Sequence, residues 1–157
     1  MLTVEPLPRE HIRAVYPLIR EAVPGLSLSD WLRFARPITG VRRNMLCGII
    51  IARREASYFP NGLFCYRVER DMMANKILVA EHFIAVDLLY PHVVLAALVA
   101  ELDGLGRRLG CAAVRSVVHG PDIEGGLTLA GHAASGSLHW KTLADEQTVT
   151  VPGAGRA

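Results

Sequence analysis

The stretch of sequence that decides the fold runs from Lys76 to His119 and reads KILVAEHFIAVDLLYPHVVLAALVAELDGLGRRLGCAAVRSVVH. Its first part, Ile77–Asp87, is rich in β-branched and other apolar residues, and Cys111–His119 at its end contains a similar pattern. Such segments are typical of buried strands. Between them lies a long segment that opens at Pro91 and suits a helix.

Both ends of this helix are marked in the sequence. Proline is tolerated at the first helical position, because the amide there has no partner, and Gly110 stands where a left-handed cap belongs. The sequence therefore predicts a helix over Pro91–Leu109. A right-handed crossover would place the strands on either side of it parallel to each other.

The residues before this unit predict one strand and two helices. A short strand is expected at Leu2–Glu5, followed by an amphipathic helix from Pro8 to Ala22 whose apolar residues recur at helical spacing. A shorter helix should begin at Ser27 or Ser29, whose hydroxyl can cap free amides, and should stop before Pro37.

A β-rich region connects the two halves. Met45–Ala52 and Leu63–Arg70 read as strands, and the Asn61-Gly62 pair between them marks a turn. Together with Ile77–Asp87 they predict an antiparallel meander. The whole order is strand, two helices, three antiparallel strands, helix and strand, which indicates an α+β fold.

Length and composition indicate one globular domain. The chain has 157 residues, of which 51% are hydrophobic and 20% charged, and this balance suits a packed core. We expect a single domain over residues 1–146 and a poorly ordered tail over 147–157. The formal charge of +2 comes from 17 basic and 15 acidic residues mixed along the chain. No basic stripe results, so nucleic acid is not an expected partner.

The cysteines and the termini favour a cytoplasmic protein. Cys47, Cys65 and Cys111 are odd in number and unclustered, as expected of reduced core thiols. The N-terminus lacks the basic start and apolar run of a secretion signal. The most apolar run, Leu88–Ala100, falls short of the ~20 residues needed to cross a bilayer, so no membrane partner is expected. The histidine and cysteine spacings match no metal motif.

The order of elements resembles the GCN5-related N-acetyltransferase (GNAT) family over roughly residues 2–143. Phe83–Asp87 is similar to the family's central strand, and Leu98–Cys111 resembles the helix that follows its cofactor loop. Leu127–His132 with Leu138–Leu143 is similar to the family's C-terminal end, where a turn leads into a last strand. The resemblance implies a mixed sheet with helices on both faces, and an enzyme that uses acetyl-CoA or another acyl-CoA.

The family's pyrophosphate loop, written R/Q-x-x-G-x-G/A, is degenerate in this chain. Its glycines let backbone amides at a helix N-terminus approach a phosphate closely. Alignment on Val86-Asp87 puts Val94 at the first glycine and Ala96 at the last small position. Alignment from Gly110 puts Val93 and a leucine at the glycines. His92 could donate to an anion, or could simply be an exposed histidine at a helix start.

The resemblance also implies where acyl transfer would occur. The oxyanion of the thioester would receive a backbone amide near Ile84–Val86. For the base that takes the amine's proton, the best candidates are Glu81, which is preferred, and His82; alternation places them on opposite faces of a central strand. One of the two could instead face solvent while the other bonds to a neighbouring strand. The family often places a tyrosine, as the acid for the leaving thiolate, in the helix that follows the strand Cys111–His119, and this tyrosine is missing from Pro121–Gly126. Tyr66, Tyr90 or His119 could substitute only if the fold brings them near the cleft.

Two functions follow from these observations. The first is a divergent N-acyltransferase whose acceptor is a small-molecule or protein amine. The second is a non-catalytic GNAT-like module for binding or dimerisation that has lost coenzyme A binding. Gly104 and Gly106 inside the long helix are each unfavourable by ~1 kcal/mol relative to alanine. Close packing of another helix or subunit, as in a homodimer, would explain them, and so would simple tolerance of the two glycines. An unrelated α+β domain is a third interpretation.

Overall fold

The protein is described by a computed structural model that covers residues 1–40 and 45–143. A five-stranded sheet forms its centre, and four α-helices and two short 3-10 turns pack around it. The strands are β1 (Leu2–Pro6), β2 (Cys47–Arg54), β3 (Gly62–Asp71), β4 (Asn75–Ala85) and β5 (Ala113–Ser116). The helices are α1 (Ile12–Ala22), α2 (Leu28–Ala35), α3 (Pro91–Arg108) and α4 (Pro121–Leu129), with 3-10 turns at Arg9–His11 and Arg36–Ile38.

The strands lie side by side in the order in which they occur along the chain. The first four pair antiparallel, and β5 pairs parallel to β4 through the crossover helix α3. The predicted meander, the parallel pair and the α+β class are therefore confirmed. Strands β3 and β4 begin and end within two residues of the predicted positions, while β5 is shorter than the predicted strand Cys111–His119.

The helix boundaries follow the local signals in the sequence. Ser27 is the N-cap of α2, where its Oγ accepts a hydrogen bond from the amide of Asp30 at 3.1 Å. This helix ends at Ala35, two residues before Pro37, because proline cannot donate a helical hydrogen bond. Pro91 is the first residue of α3, as the sequence predicts.

The sheet is covered on both faces, which divides the core into two clusters. On one face, α1 and α2 bury residues that include Trp31, Ile49 and Leu63. On the other face, α3 and α4 bury residues that include Phe64, Leu78 and Leu98. We call these the α1–α2 face and the α3–α4 face. The helices thus lie on both faces, as the resemblance implies.

Two expectations for the fold need correction. Residues 138–143 form no strand, so the predicted last strand is wrong for this part of the chain. Gly106 does not serve a second helix or subunit, because a Cβ there would meet Val114 at 3.3 Å and Leu78 at 3.7 Å. The glycine instead lets α3 approach the sheet. The predicted tail, 147–157, lies outside the described residues.

None of the helices in residues 1–40 and 45–143 has both the length and the hydrophobicity required of a membrane span.

Candidate active site

The candidate site lies where β4 and β5 part. Pairing between these strands runs from Ile77 opposite Ala113 to Ala80 opposite Ser116. The last hydrogen bond joins the amide of Val117 to the carbonyl of Ala80 at 2.9 Å. Beyond it, the segment 81–85 of β4 pairs with β3 alone among the described strands. One edge of the central strand is therefore open within residues 1–40 and 45–143.

A β-bulge begins at the same point. Cys65 on β3 lies opposite Glu81, and Leu63 lies opposite Ile84, so one residue of β3 faces two residues of β4. His82 takes the left-handed conformation, with φ at 55°. Histidine is among the few residues other than glycine that are enriched there. A bulge of this kind adds a residue to one strand and redirects the side chains that follow.

The bulge corrects the prediction that Glu81 and His82 lie on opposite faces. Glu81 pairs with Arg67 at 3.0 Å, and the ring of His82 packs edge-on against Phe34 of α2. The His82 Nε2 and Glu81 Oε2 atoms are 3.9 Å apart. Both side chains therefore lie on the α1–α2 face, next to the open edge, where simple alternation would have separated them.

A row of charged side chains extends from this pair across the sheet. Arg67 on β3 and Arg115 on β5 lie opposite the same residue of β4, Val79. Glu69 bridges them, at 2.5 Å from Arg67 and 2.6 Å from Arg115. The pKa of Glu69 is lowered, first by its hydrogen bond to Arg67. The row therefore lies on the α1–α2 face, across β3, β4 and β5.

The environment of His82 favours its neutral form. Its pKa lies below the ordinary value of 6.5, first because burial disfavours the charged ring and also because His119 and Arg67 are nearby. Glu81 opposes this shift without reversing it. An imidazole that is neutral at pH 7 and 40% exposed can accept a proton from a molecule in the cleft.

The backbone of β4 offers a donor at the open edge. The amide of Val86 is already used, because it donates to the carbonyl of Asn61 on the β3 side at 2.6 Å. Successive residues of a strand direct their amides to opposite edges, so the amide of Ala85 points to the open side. This residue lies between Ile84 and Val86, within the segment that the resemblance implies.

The side chains of Ile84 and Val86 line a groove rather than the open edge. It has a volume of about 750 Å³ and lies between α1, the β2–β3 turn and the end of β4. Its other lining residues are Ala14, Pro17, Leu18, Glu21, Phe59 and Pro60. Since Glu21 is the sole charged group in this set, the groove suits an apolar chain or ring.

The turn from β4 into α3 is held by Asp87. Its Oδ1 accepts the amides of Leu89 and Tyr90, each at 2.9 Å, and its Oδ2 accepts Arg54 at 2.7 Å. These two amides, followed by the guanidinium, lower the carboxyl pKa from 3.8 to about 2. The turn therefore keeps a fixed shape even though it lacks glycine.

The first turn of α3 presents few donors to an anion. Pro91 has no amide hydrogen, and the amide of Val93 donates to the carbonyl of Tyr90 at 3.1 Å. His92, Val93 and Ala96 are exposed at the surface. At this turn, His92 therefore provides the backbone amide and the imidazole that could donate hydrogen bonds to an anion.

Val94 does not crowd the helix start as its branched side chain would suggest. It is fully buried in the core of the α3–α4 face, in contact with the backbone of β3 at Gly62. A Cβ at Gly62 would lie 2.9 Å from the Val94 Cγ1 atom and 2.7 Å from the Ile84 carbonyl oxygen. The missing loop glycine is therefore accompanied by a glycine on the neighbouring strand, which makes room for the valine.

Ser116 contributes an unusual polar atom at the point where the strands part. Its Oγ is buried and has no hydrogen-bond partner among the described residues. Val114 and Val118 pack against the core of the α3–α4 face, and strand alternation directs Ser116 to the same face. A buried hydroxyl without a partner is costly and calls for an explanation.

Several residues of this site were not found by sequence reasoning. Arg67 and Phe34 come from two other segments, and only the fold brings them to Glu81 and His82. His119, which the sequence offers as a substitute acid, also lies near His82. Asp87 could have been found, because an aspartate directly after a strand and before a helix is a common turn residue. No cluster of residues suited to a metal ion occurs in the part of the chain that the structure describes.

No protein-family model matches the chain, and no curated protein matches it in sequence. Solved structures do match it. Glucosamine-6-phosphate N-acetyltransferase from Arabidopsis thaliana has a TM-score of 0.75 at 13% identity, over 92% of this chain and 99% of that one. An aminoglycoside N-acetyltransferase in complex with CoA gives 0.72 at 12% identity, over 92% and 96% of the two chains. A transcriptional regulator from Bacillus halodurans has a TM-score of 0.76 at 13% identity, over 91% of this chain and 100% of that one. The chain therefore has a GNAT-like fold.

Proposed function

We propose that the protein is a divergent N-acyltransferase that transfers an acyl group from an acyl-CoA thioester to an amine. The observation that carries the proposal is the bulge at His82, which places a neutral imidazole and a carboxylate beside the open edge of β4. A base beside the open edge can take the proton that an amine loses when it attacks a thioester bound along that edge. The fold shared with acetyltransferases supports the same function.

The residues present fit the extended arm of such a donor better than its phosphates. The open edge offers the amide of Ala85 to a carbonyl of the arm, and the buried Ser116 hydroxyl lies at the end of the slot. The pyrophosphate would meet the amide and imidazole of His92 at the start of α3 and the exposed side chains of Val93 and Ala96. When bound, the donor supplies an activated acyl carbon. We expect its affinity to depend mainly on the arm.

In the proposed reaction the amine nitrogen attacks the acyl carbon, and the carbon–sulfur bond breaks with its electron pair left on sulfur. His82 takes the proton from nitrogen, because its lowered pKa leaves it unprotonated at pH 7. Glu81, which is 3.9 Å away, orients the ring and stabilises the imidazolium that forms.

The acceptor approaches on the α1–α2 face. Phe34, which is 47% exposed, provides an apolar wall beside His82, while Arg67 and Arg115 border the other side. The site is thus open to an amine on a small molecule or on a protein chain, and the proposal covers both.

A second function, a non-catalytic binding or dimerisation module, is favoured by the apolar turn before α3. Leu88 is 100% exposed, Leu89 76% and Tyr90 53%, although Asp87 fixes the backbone that presents them. Exposed apolar groups on a rigid turn are typical of contact surfaces. Two results together would support this function. The protein would have no affinity for coenzyme A, and it would form a stable homodimer that dissociates when Leu88→Ser and Leu89→Ser are combined.

Binding and turnover together test the proposal. A ligand present at 100 times its Kd stabilises the native state by about 2.7 kcal/mol, so acetyl-CoA should raise the midpoint of thermal unfolding. Calorimetry should give a matching Kd. His82→Asn should keep this binding while turnover of a panel of amines falls at least 100-fold, which is the lower end of general-base effects.

His11→Asn is the matched control, because His11 also packs edge-on against an aromatic ring but lies at the start of α1. It should leave turnover unchanged. The absence of both a thermal shift and calorimetric heat with acetyl-CoA and longer acyl-CoA thioesters would exclude the proposed donor.

A further inference from the structure

We propose that the Ser116 hydroxyl donates a hydrogen bond to the sulfur of the acyl donor and so stabilises the leaving thiolate. The inference rests on the proposed function, and it assigns a role that the missing tyrosine of α4 leaves open. It depends on three observations: the position of Ser116 in the sheet, the face to which it points and the state of its hydroxyl.

The first observation is the position of Ser116 at the end of the pairing between β4 and β5. Ser116 is the last residue of β5 that pairs with β4, opposite Ala80 and directly before Glu81. An arm that lies along the open edge of β4 reaches the closed end of the slot here, because the bond from Val117 to Ala80 shuts it. The reactive end of the donor must therefore stop beside Ser116.

The second observation concerns the faces of the sheet. Glu81 and His82 lie on the α1–α2 face, whereas Ser116 points to the α3–α4 face with Val114 and Val118. A thioester that passes between the strands would then present its acyl carbon to His82 and its sulfur to Ser116. The base would then act on the amine nitrogen and the hydrogen-bond donor on the sulfur, from opposite faces of the sheet.

The third observation is the hydroxyl itself. Its Oγ is buried and unpaired among the described residues, so the free protein carries the cost of a desolvated donor. A sulfur acceptor would relieve this cost. A thioester or thiol sulfur accepts weakly, but a thiolate is an ionised acceptor and receives a much stronger hydrogen bond. The interaction strengthens as the carbon–sulfur bond breaks, which is what catalysis needs.

The test compares coenzyme A with desulfo-coenzyme A, which lacks the sulfur, by calorimetry. The preference for coenzyme A should be small at pH 7, where its thiol accepts weakly. Above the thiol pKa of about 8.5, where the thiolate predominates, coenzyme A should bind roughly 3- to 10-fold more tightly, the range expected of one hydrogen bond. In Ser116→Ala the two ligands should bind alike, and Ser116→Thr should restore the preference. Ser29→Ala, which removes an exposed hydroxyl in the first turn of α2, should keep it. The proposal is overturned if Ser116→Ala retains the preference.

The stability of the free protein gives an independent readout. Because the hydroxyl has no partner to lose in the part of the chain that the structure describes, Ser116→Ala should melt at the same temperature as the parent protein or higher. A midpoint lowered by several degrees would show that the hydroxyl is paired in the free protein, and this too would overturn the proposal. If the parent protein binds neither coenzyme A nor acetyl-CoA, the proposed function fails first. If the parent protein binds both ligands but Ser116→Ala keeps the preference for coenzyme A over desulfo-coenzyme A, the proposed function stands and only the role of Ser116 fails.

Discussion

At the scale of single residues, Asp87 is the group whose charge the fold stabilises most clearly. The folded protein lowers its pKa from 3.8 to about 2 through two backbone amides and Arg54. A carboxyl with a lowered pKa stabilises the fold above its unfolded pKa, and this contribution is lost as the pH falls through the folded value. The loss should therefore occur between pH 3.8 and pH 2.

Asp87→Asn tests this expectation. The amide oxygen can still accept the two backbone bonds, but the charge on Arg54 is no longer balanced. We expect the variant to be less stable than the parent at pH 7, and the difference to shrink as the pH falls from 3.8 towards 2. Urea unfolding across this range measures it. Glu10→Gln, which removes a charge from the exposed turn before α1, serves as the control. A difference that does not vary with pH would contradict the assignment.

His82 makes a second prediction at this scale, which concerns pH dependence. Its ring should titrate below pH 6.5, as seen by NMR of the Cε1 proton. Because Glu81 raises this pKa, Glu81→Gln should lower the midpoint further, whereas His119→Asn should raise it. If His82 is the base, kcat/KM should rise with pH through the same midpoint and then level off. A midpoint above 6.5 would remove the reason for a neutral imidazole.

At the scale of the elements, the contact between α3 and α4 depends on which glycine faces the neighbouring helix. Gly125 and Gly126 are adjacent in α4. A Cβ at Gly125 would meet nothing within 4 Å, while one at Gly126 would lie 2.3 Å from Leu95 of α3. Alanine is favoured over glycine in a helix by about 1 kcal/mol, so Gly125→Ala should stabilise the protein by roughly that amount or somewhat less.

Gly126→Ala is its matched counterpart. It gains the same helix propensity but must displace a buried leucine, and overpacking of this kind costs about 1–3 kcal/mol. We expect a net loss of stability in denaturant unfolding. Equal stabilisation by both substitutions would show that α4 does not pack on Leu95 as described.

The elements themselves could be predicted from the sequence more fully than the site. Pro91, Gly110 and Ser27 act within one or two residues, so the helix ends could be read directly. The bulge at His82 has no such local signal. It depends on how β3 pairs with β4 at Cys65 and Leu63, and this pairing is a long-range property. Period-2 alternation therefore gives the wrong face for one member of the Glu81–His82 pair.

At the degenerate loop, the structure changes the interpretation of Val94 but not that of the whole loop. Valine at position 94 suggests a crowded phosphate site when the sequence is considered alone. In the fold this side chain is buried, and Gly62 on another strand makes room for it. Gly62 and Val94 are 32 positions apart in the sequence, and the small residue leaves space for the larger one. A motif of consecutive residues does not reveal such a contact. What remains unfavourable for phosphate is the shortage of backbone donors at Pro91 and Val93.

At the scale of the whole molecule, Cys65 reports on global opening. It lies in the centre of the sheet on the α1–α2 face and is 5% exposed. Burial, with a smaller effect from Glu81, raises its thiol pKa to about 12. Since the thiolate is the reactive form, the folded state should protect this cysteine against a thiol reagent.

In a Cys47→Ser, Cys111→Ser variant, Cys65 becomes the single thiol, and its labelling rate should follow the population of the unfolded state. The rate should increase with urea along the slope of global unfolding. Acetyl-CoA at 100 times its Kd should slow it about 100-fold, because binding to the native state alone shifts the equilibrium by that factor. Labelling that is fast without urea, or a slope well below the global one, would show that β3 opens locally. Slope and ligand effect thus test together whether the two faces of the sheet unfold as one unit, and whether the donor binds to that unit.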